Sequence, residues 1–158
     1  MKAQAFPYCK PQGGTCWSAS FFVPQNAVLL NSDYSEYVFQ VPLGADKILL
    51  YAGAAGIGGP GRVSSDPTLV RWEEMNDPEG WVGLGKMQNM THDQATIAGK
   101  PGILTHFEFK KPNATFSGVR ATVESHGVVL LVGCMALKNR IGDADQICLE
   151  LIDSLRLP

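Results

Sequence analysis

The stretch THFEFKKPNATFSGVRATVESH, residues 105 to 126, gathers two of the chain's three histidines with two glutamates. Imidazole nitrogen and carboxylate oxygen are ligands for zinc and related divalent ions, and a histidine beside a glutamate is also a general acid/base set. Polar and apolar residues alternate here, and strand side chains alternate between faces. Leu104, His106, Glu108 and Lys110 therefore share one face, and Ile103, Thr105, Phe107 and Phe109 the other. On the return strand Arg120, Thr122, Glu124 and His126 oppose Val119, Ala121 and Val123. If the strands pair across KPNATFSG with both polar sets on one side, His106 approaches Glu124 and Glu108 approaches Arg120 or Thr122. Two readings follow: a metal or acid/base site at His106, Glu108, Glu124 and His126, or ion-pair ladders on a solvated face, worth roughly 0.2–1 kcal/mol per pair. Ligands spread over two flat strands rarely converge, and Lys110 and Arg120 repel a cation from the same face. The ladder is the expectation, with Phe107 and Phe109 joining Val119 and Val123 as the core-facing row. No catalytic residue, metal or cofactor is assigned.

Two other stretches invite a function. GAAGIGGPGR, from Gly53 to Arg62, is glycine-rich but lacks the Lys-Ser/Thr of a phosphate loop and leads into no helical pattern. It reads as part of a Gly/Pro-rich loop over residues 52–68. In VRWEEMNDPEGW, Arg71, Trp72, Glu73, Glu74 and Trp81 stand in a polar, loop-rich setting. Tryptophan and arginine are enriched at interface hot spots, so these five form the expected partner-binding surface. No Gly-x-Ser-x-Gly elbow and no protease-like Cys/His pair is present.

The elements that hold these residues are mostly strands. Trp17–Val23, SEYVFQVP and DKILLYAGA carry period-2 or continuous apolar patterns. From Met87 the pattern runs strand, Gly-Lys-Pro-Gly break, strand, hairpin return, then VVLLVGCMAL, which is apolar on both faces and so belongs at the centre of a sheet. In GDADQICLELIDSLRLP, Ala144, Ile147, Cys148, Leu151 and Leu155 recur at helical spacing, with Asp143 as N-cap and Gln146 as its capping-box partner. The expected fold class is α+β: an antiparallel sheet packed with helices, an α/β/α sandwich closed by a C-terminal amphipathic helix.

A chain of 158 residues with 45% hydrophobic content fits one domain over residues 1–158. A net charge of -2 with scattered Lys and Arg provides no footprint for nucleic acid. The longest apolar run, Gly127 to Leu137, is too short for a transmembrane helix. In the N-terminal segment, residues 1–20, Ala3-Gln4-Ala5 has the small-x-small pattern of a signal-peptidase cut. Cys9 and Cys16 bracket KPQGGT, a turn that brings a disulfide within reach, the alternative being two free cytosolic thiols. Cys134 and Cys148 read as buried small hydrophobes, able to bridge only if the terminal helix packs on that strand in register.

The aromatic-Val-Pro strand FFVP, the strand TIAGKPGILTHFEF, the long hairpin, the apolar strand and a closing helix ending in IDSLRL together resemble the Mog1/PsbP-like fold, nearest to the bacterial DcrB-like group. The resemblance is best over Met87 to Pro158. It implies a non-enzymatic binding or assembly protein, since such members include photosystem II extrinsic subunits, a small-GTPase-release factor, periplasmic lipoproteins and cytosolic chaperones for hydrophobic segments of type VI secretion effectors. The leading expectation is an exported, periplasmic protein of the bacterial cell envelope that binds another protein, as an immunity or assembly factor. The alternatives are a cytosolic effector chaperone, which free thiols would favour, and a metal-dependent enzyme using the His106/Glu124 face.

Overall fold

The computed structural model describes residues 1–10, 14–33, 36–55 and 87–158. Nine strands are present in these segments: β1 (Lys2–Cys9), β2 (Cys16–Val23), β3 (Val28–Asp33), β4 (Glu36–Leu43), β5 (Asp46–Ala55), β6 (Met87–Ile97), β7 (Lys100–Lys111), β8 (Ala114–Ser125) and β9 (Val128–Leu137). A short 3-10 turn, Lys138–Arg140, leads into the helix α1 (Ile141–Asp153). Seven strands form one antiparallel sheet in the order β3-β4-β5-β9-β8-β7-β6, while β1 and β2 pair as a separate hairpin. The run VVLLVGCMAL is the central strand, as its two apolar faces require, and every residue of β9 except Leu137 is buried.

The first face of the sheet is covered by the β1–β2 hairpin and α1. Period-2 alternation turns Phe6 and Tyr8 of β1, and Ala19, Phe21 and Val23 of β2, inward onto Phe39, Leu50, Val123, Leu130 and Val132. The hydroxyls of Tyr8 and Ser125 bond across this interface at 2.7 Å. Helix α1 adds Ala144, Cys148, Leu151 and Ile152, with Leu155 following just past its end. Its C-terminus is pinned to β2: Ser154 Oγ accepts from the Phe22 amide at 2.9 Å, and Ser20 and Arg156 exchange two backbone bonds of 3.0 and 2.8 Å. The second face is also buried. Val38, Tyr51, Phe107 and Met135 form its apolar cluster, with Leu49, Met90 and Phe116 packed beside them.

Several expectations need correction. The antiparallel sheet and the closing amphipathic helix are present, but the described residues are mainly sheet, with one α-helix among them, and not a helix-packed α/β/α sandwich. On the first face a strand hairpin takes much of the place that sandwich reserved for helices. Ala3-Gln4-Ala5 lies in β1, paired with Phe22, Phe21 and Ser20. Residues 52–55 belong to β5, so the Gly/Pro-rich loop does not begin at Ala52; its remainder, from residue 56, lies outside the described residues. The break between β6 and β7 is the two-residue turn Ala98-Gly99, both at positive φ (50 and 80), so Lys100-Pro101-Gly102 already belongs to β7.

The helix starts three residues earlier than its cap signal suggested, because the 3-10 turn runs straight into it. Arg140 is the N-cap residue and no side chain caps it. Asp143 lies inside the first turn, where its charge suits the helix dipole, and it pairs with Arg140 at 3.2 Å. Gln146 bonds Glu150 at 2.9 Å. Gly142 sits in the same turn, and a Cβ there would meet nothing within 4 Å. Gly142→Ala is therefore expected to raise stability by about 0.5 kcal/mol, read as a higher denaturant midpoint, because alanine loses less backbone entropy in a helix.

Candidate functional site

The hairpin that carries the candidate ligands is β7–β8, and its register decides what they can do. Lys111 pairs with Ala114 across a two-residue Pro112-Asn113 turn, so odd-numbered residues of one strand oppose even-numbered residues of the other. His106 consequently faces Val119, Glu108 faces Ser117, Thr105 faces Arg120 and Ile103 faces Thr122. The ladder the sequence suggested is displaced from this register by three or five residues, an odd number in each case, and an odd slip exchanges the faces of a strand. His106 and Glu108 share the first face with Val119, while Arg120, Thr122 and Glu124 share the second with Thr105 and Phe107. Phe107 and Val119, expected in one row, lie on opposite faces, and both are buried.

The four candidate metal ligands are not brought together. Glu124 lies five residues beyond the partner of His106, about 17 Å along the strand, and on the other face. Among the described residues no three of His, Cys, Asp and Glu gather as a metal centre. Each of the four has a different setting. His106 is exposed. Glu108 accepts from Lys138 Nζ at 2.8 Å and from the Asn89 amide at 2.9 Å. Glu124 accepts from the Gly127 amide inside the β8–β9 turn. His126 occupies that turn at φ 51, and its ring stacks on Trp17 with centroids 4.4 Å apart and planes 2° from parallel.

The Lys138 ammonium, and after it the Asn89 amide, hold the Glu108 carboxyl below its ordinary value of 4.5. A depressed carboxyl contributes stability that is present above its unfolded pKa and is lost as pH falls through the folded one. The tie between β7 and the residue after β9 should therefore weaken only below about pH 4.5. Glu108→Gln is expected to flatten that acid limb in a plot of melting temperature against pH, by lowering the neutral region slightly and leaving the acid end unchanged. Burial pushes the Tyr8 hydroxyl above its ordinary 10.0. The Ser125 hydrogen bond opposes that rise and Glu124 reinforces it.

The same register assembles a polar row that was not foreseen. His92, Thr105, Arg120, Gly133 and Tyr51 stand opposite one another in sequence across β6, β7, β8, β9 and β5. His92 Nδ1 bonds Thr105 Oγ1 at 2.9 Å, and the Arg120 guanidinium lies 5.9 Å from the centre of the Phe107 ring. Arg120 is only 3% exposed and Thr105 0%. Gly133 lets the strands approach closely beside the row, with Tyr51 Oη 3.1 Å from where a Cβ would sit. None of Tyr51, His92, Thr105, Arg120 and Thr122 is without a partner. A polar row inside an apolar face specifies pairing and register, since any slip would carry its groups away from the contacts they make. The available signal was Arg120 itself, a charged residue between Val119 and Ala121.

Arg71, Trp72, Glu73, Glu74 and Trp81 lie outside the described residues. Both cysteine pairs are disulfides. Cys9 and Cys16 face each other in the β1–β2 register with Cα atoms 4.0 Å apart, and Cys134–Cys148 ties α1 to β9 across 5.6 Å. The packing condition for the second pair is met, so these are not the free buried thiols of the default expectation. No described helix is long and apolar enough to cross a membrane.

No family model matches this chain, and no curated protein matches it. Solved structures do. LpqN of Mycobacterium tuberculosis, described as involved in cell envelope biogenesis, is similar at 17% identity and a TM-score of 0.54, covering 98% of this chain and 91% of that one. PA94 of Pseudomonas aeruginosa, described as a protein of unknown function, is similar at 11% identity and a TM-score of 0.57, with 90% and 89% covered. A Bacteroides thetaiotaomicron protein matches at 11% identity and a TM-score of 0.54 over 89% of this chain, which spans 45% of that protein's length. None of these three carries the Mog1/PsbP or DcrB name, and at such identities the likeness is one of fold: this chain shares the architecture of LpqN and PA94.

Proposed function

We propose that the protein is a non-enzymatic protein-binding module of the bacterial cell envelope. The observation that carries this reading is the pairing of all four cysteines, since disulfides persist in oxidising compartments and are rare in the cytosol. The envelope role given for LpqN, which shares the fold, supports it. A cytosolic effector chaperone would be favoured by free thiols, and the structure has none. An enzyme built on the hairpin loses its assembled residue set, because His106 and Glu124 stand on opposite faces.

The described surface supplies a contact region at the sheet edge. On β3, Val28, Leu29 and Leu30 are 54%, 45% and 54% exposed, three successive large apolar side chains beside a bulge in the β3–β4 register. Apolar runs on a free edge mark places where another chain docks. Residues 71–81 remain the second proposed contact region. Photo-crosslinkers placed at Leu30 and at Trp72 in cells should give discrete envelope-protein adducts, and Leu30→Lys should remove the first set while changing stability by no more than about 0.5 kcal/mol. Absence of adducts at both positions would overturn the binding reading.

A further inference from the structure

The second sheet face ends in a cavity of about 370 Å³ whose origin is visible in the strand pairing. Strands β5 and β9 are paired as far as Leu49 and Met135. Beyond that point Lys47 still opposes Pro42 and Leu137 still opposes Phe116, but the two pairs no longer meet, because β9 gives way to the 3-10 turn. The gap has Pro42, Phe116 and Leu137 as its apolar lining, with Gln40, Lys47 and Ala45 at its margin. It is continuous with the apolar cluster above it through Leu49 and Phe116.

The charges around the cavity are unequal. Asp46, which also borders it, is held by Arg140 at 3.4 Å, and Arg140 in turn pairs with Asp143. Lys47 is exposed and takes part in no ion pair or side-chain hydrogen bond among the described residues. The lining thus presents one uncompensated ammonium and one amide above a floor with no hydrogen-bonding side chain. Small-molecule sites combine a mostly apolar wall with a few placed polar groups, within roughly 300–1,000 Å³. An apolar floor rejects a polar tail, and a lone ammonium selects an anionic head.

We propose that this cavity binds an alkyl carboxylate, its chain on Pro42, Phe116 and Leu137 and its head group against Lys47 and the Gln40 amide. The cavity has none of Val28, Leu29 and Leu30 in its lining, so its failure would leave the partner-binding reading standing.

The test is a titration of the ¹⁵N-labelled protein with decanoate, followed by amide shifts and calorimetry, with acetate and decanol as head-only and tail-only probes. Saturable binding of decanoate is expected, with shifts centred on Gln40, Lys47 and Leu137, and with both acetate and decanol at least about tenfold weaker. Lys47→Glu should weaken decanoate by about tenfold and leave decanol unchanged. Ala45→Trp, at an exposed position of the β4–β5 turn, should obstruct the mouth and weaken both. Melting temperatures of the two variants establish that each is folded. Non-saturable shifts, decanol binding equal to decanoate, or affinity unchanged in both variants would overturn the proposal.

Discussion

Gly133→Ala is expected to destabilise the protein by about 3 kcal/mol, a large effect for one methyl group. Gly133 lies in the middle of the central strand, between Arg120 of β8 and Tyr51 of β5. A Cβ added there would collide with the Val119 carbonyl oxygen and approach the Arg120 Cα to 2.9 Å. Both of these are backbone atoms in the neighbouring strand, so no rotamer change relieves the clash. Relief requires β8 and β9 to move apart, which loosens the row that holds Arg120, Thr105 and His92. The measurement is urea unfolding of the variant beside the parent, with the m-value compared so that a change in midpoint reads as a change in stability. A loss below about 0.5 kcal/mol would mean that the backbone approach at Gly133 is not as close as described. Gly142→Ala, with open space around its Cβ, is the internal control and should move the midpoint the other way.

Removing the inner disulfide should cost a similar amount. Cys134 and Cys148 are separated by 14 residues and both are 0% exposed. Closing a loop of that length restricts the unfolded chain by about 3 kcal/mol. The Cys134→Ala/Cys148→Ala double variant is expected to lose about that much, with α1 and the adjoining Ser154–Arg156 tie to β2 showing the greatest rise in amide exchange. The outer disulfide is different in kind. Cys9 and Cys16 close a hairpin whose remaining seven register pairs hold without it, and Cys16 is exposed. Mild reductant on the folded protein should therefore open the outer bond first and leave the inner one intact. Simultaneous reduction of both would indicate that α1 detaches readily.

The parts of the fold legible in sequence are those written as burial patterns. VVLLVGCMAL has no polar residue on either face and could only be central. Ala144, Cys148 and Leu151 mark one face of a helix whatever its exact start, and that face did reach Cys134. The hairpin β7–β8 was legible as a hairpin but not in register, because its two strands are apolar on one face and mixed on the other in a way that fits either phase. The phase was set by Pro112-Asn113, a turn shorter than KPNATFSG suggested. With it went the candidate site: the slip carries His106 to one face and Glu124 to the other. The strand β1 was missed because KAQAFPYC has a weak apolar alternation that only its pairing with CWSASFFV completes. The helix cap was misplaced because an Asp three residues before Gln looks the same inside a first turn as at a cap.

The polar row was illegible for a related reason. Its members come from five strands, and no local spacing connects His92, Arg120 and Tyr51. Only the sheet order, in which β9 lies between β5 and β8, brings them to one level. The same order places β3, with three exposed apolar residues, at the edge of the sheet among the described residues, and it produces the gap beside Lys47.

The reading of an oxidised envelope protein is tested most directly by its thiols. Protein isolated from its native cells under alkylating conditions, denatured without reductant and weighed intact, should carry no alkyl groups. After reduction and a second alkylation it should carry one on each of Cys9, Cys16, Cys134 and Cys148. Alkylation of all four before reduction would contradict the account and return the chain to a reducing compartment.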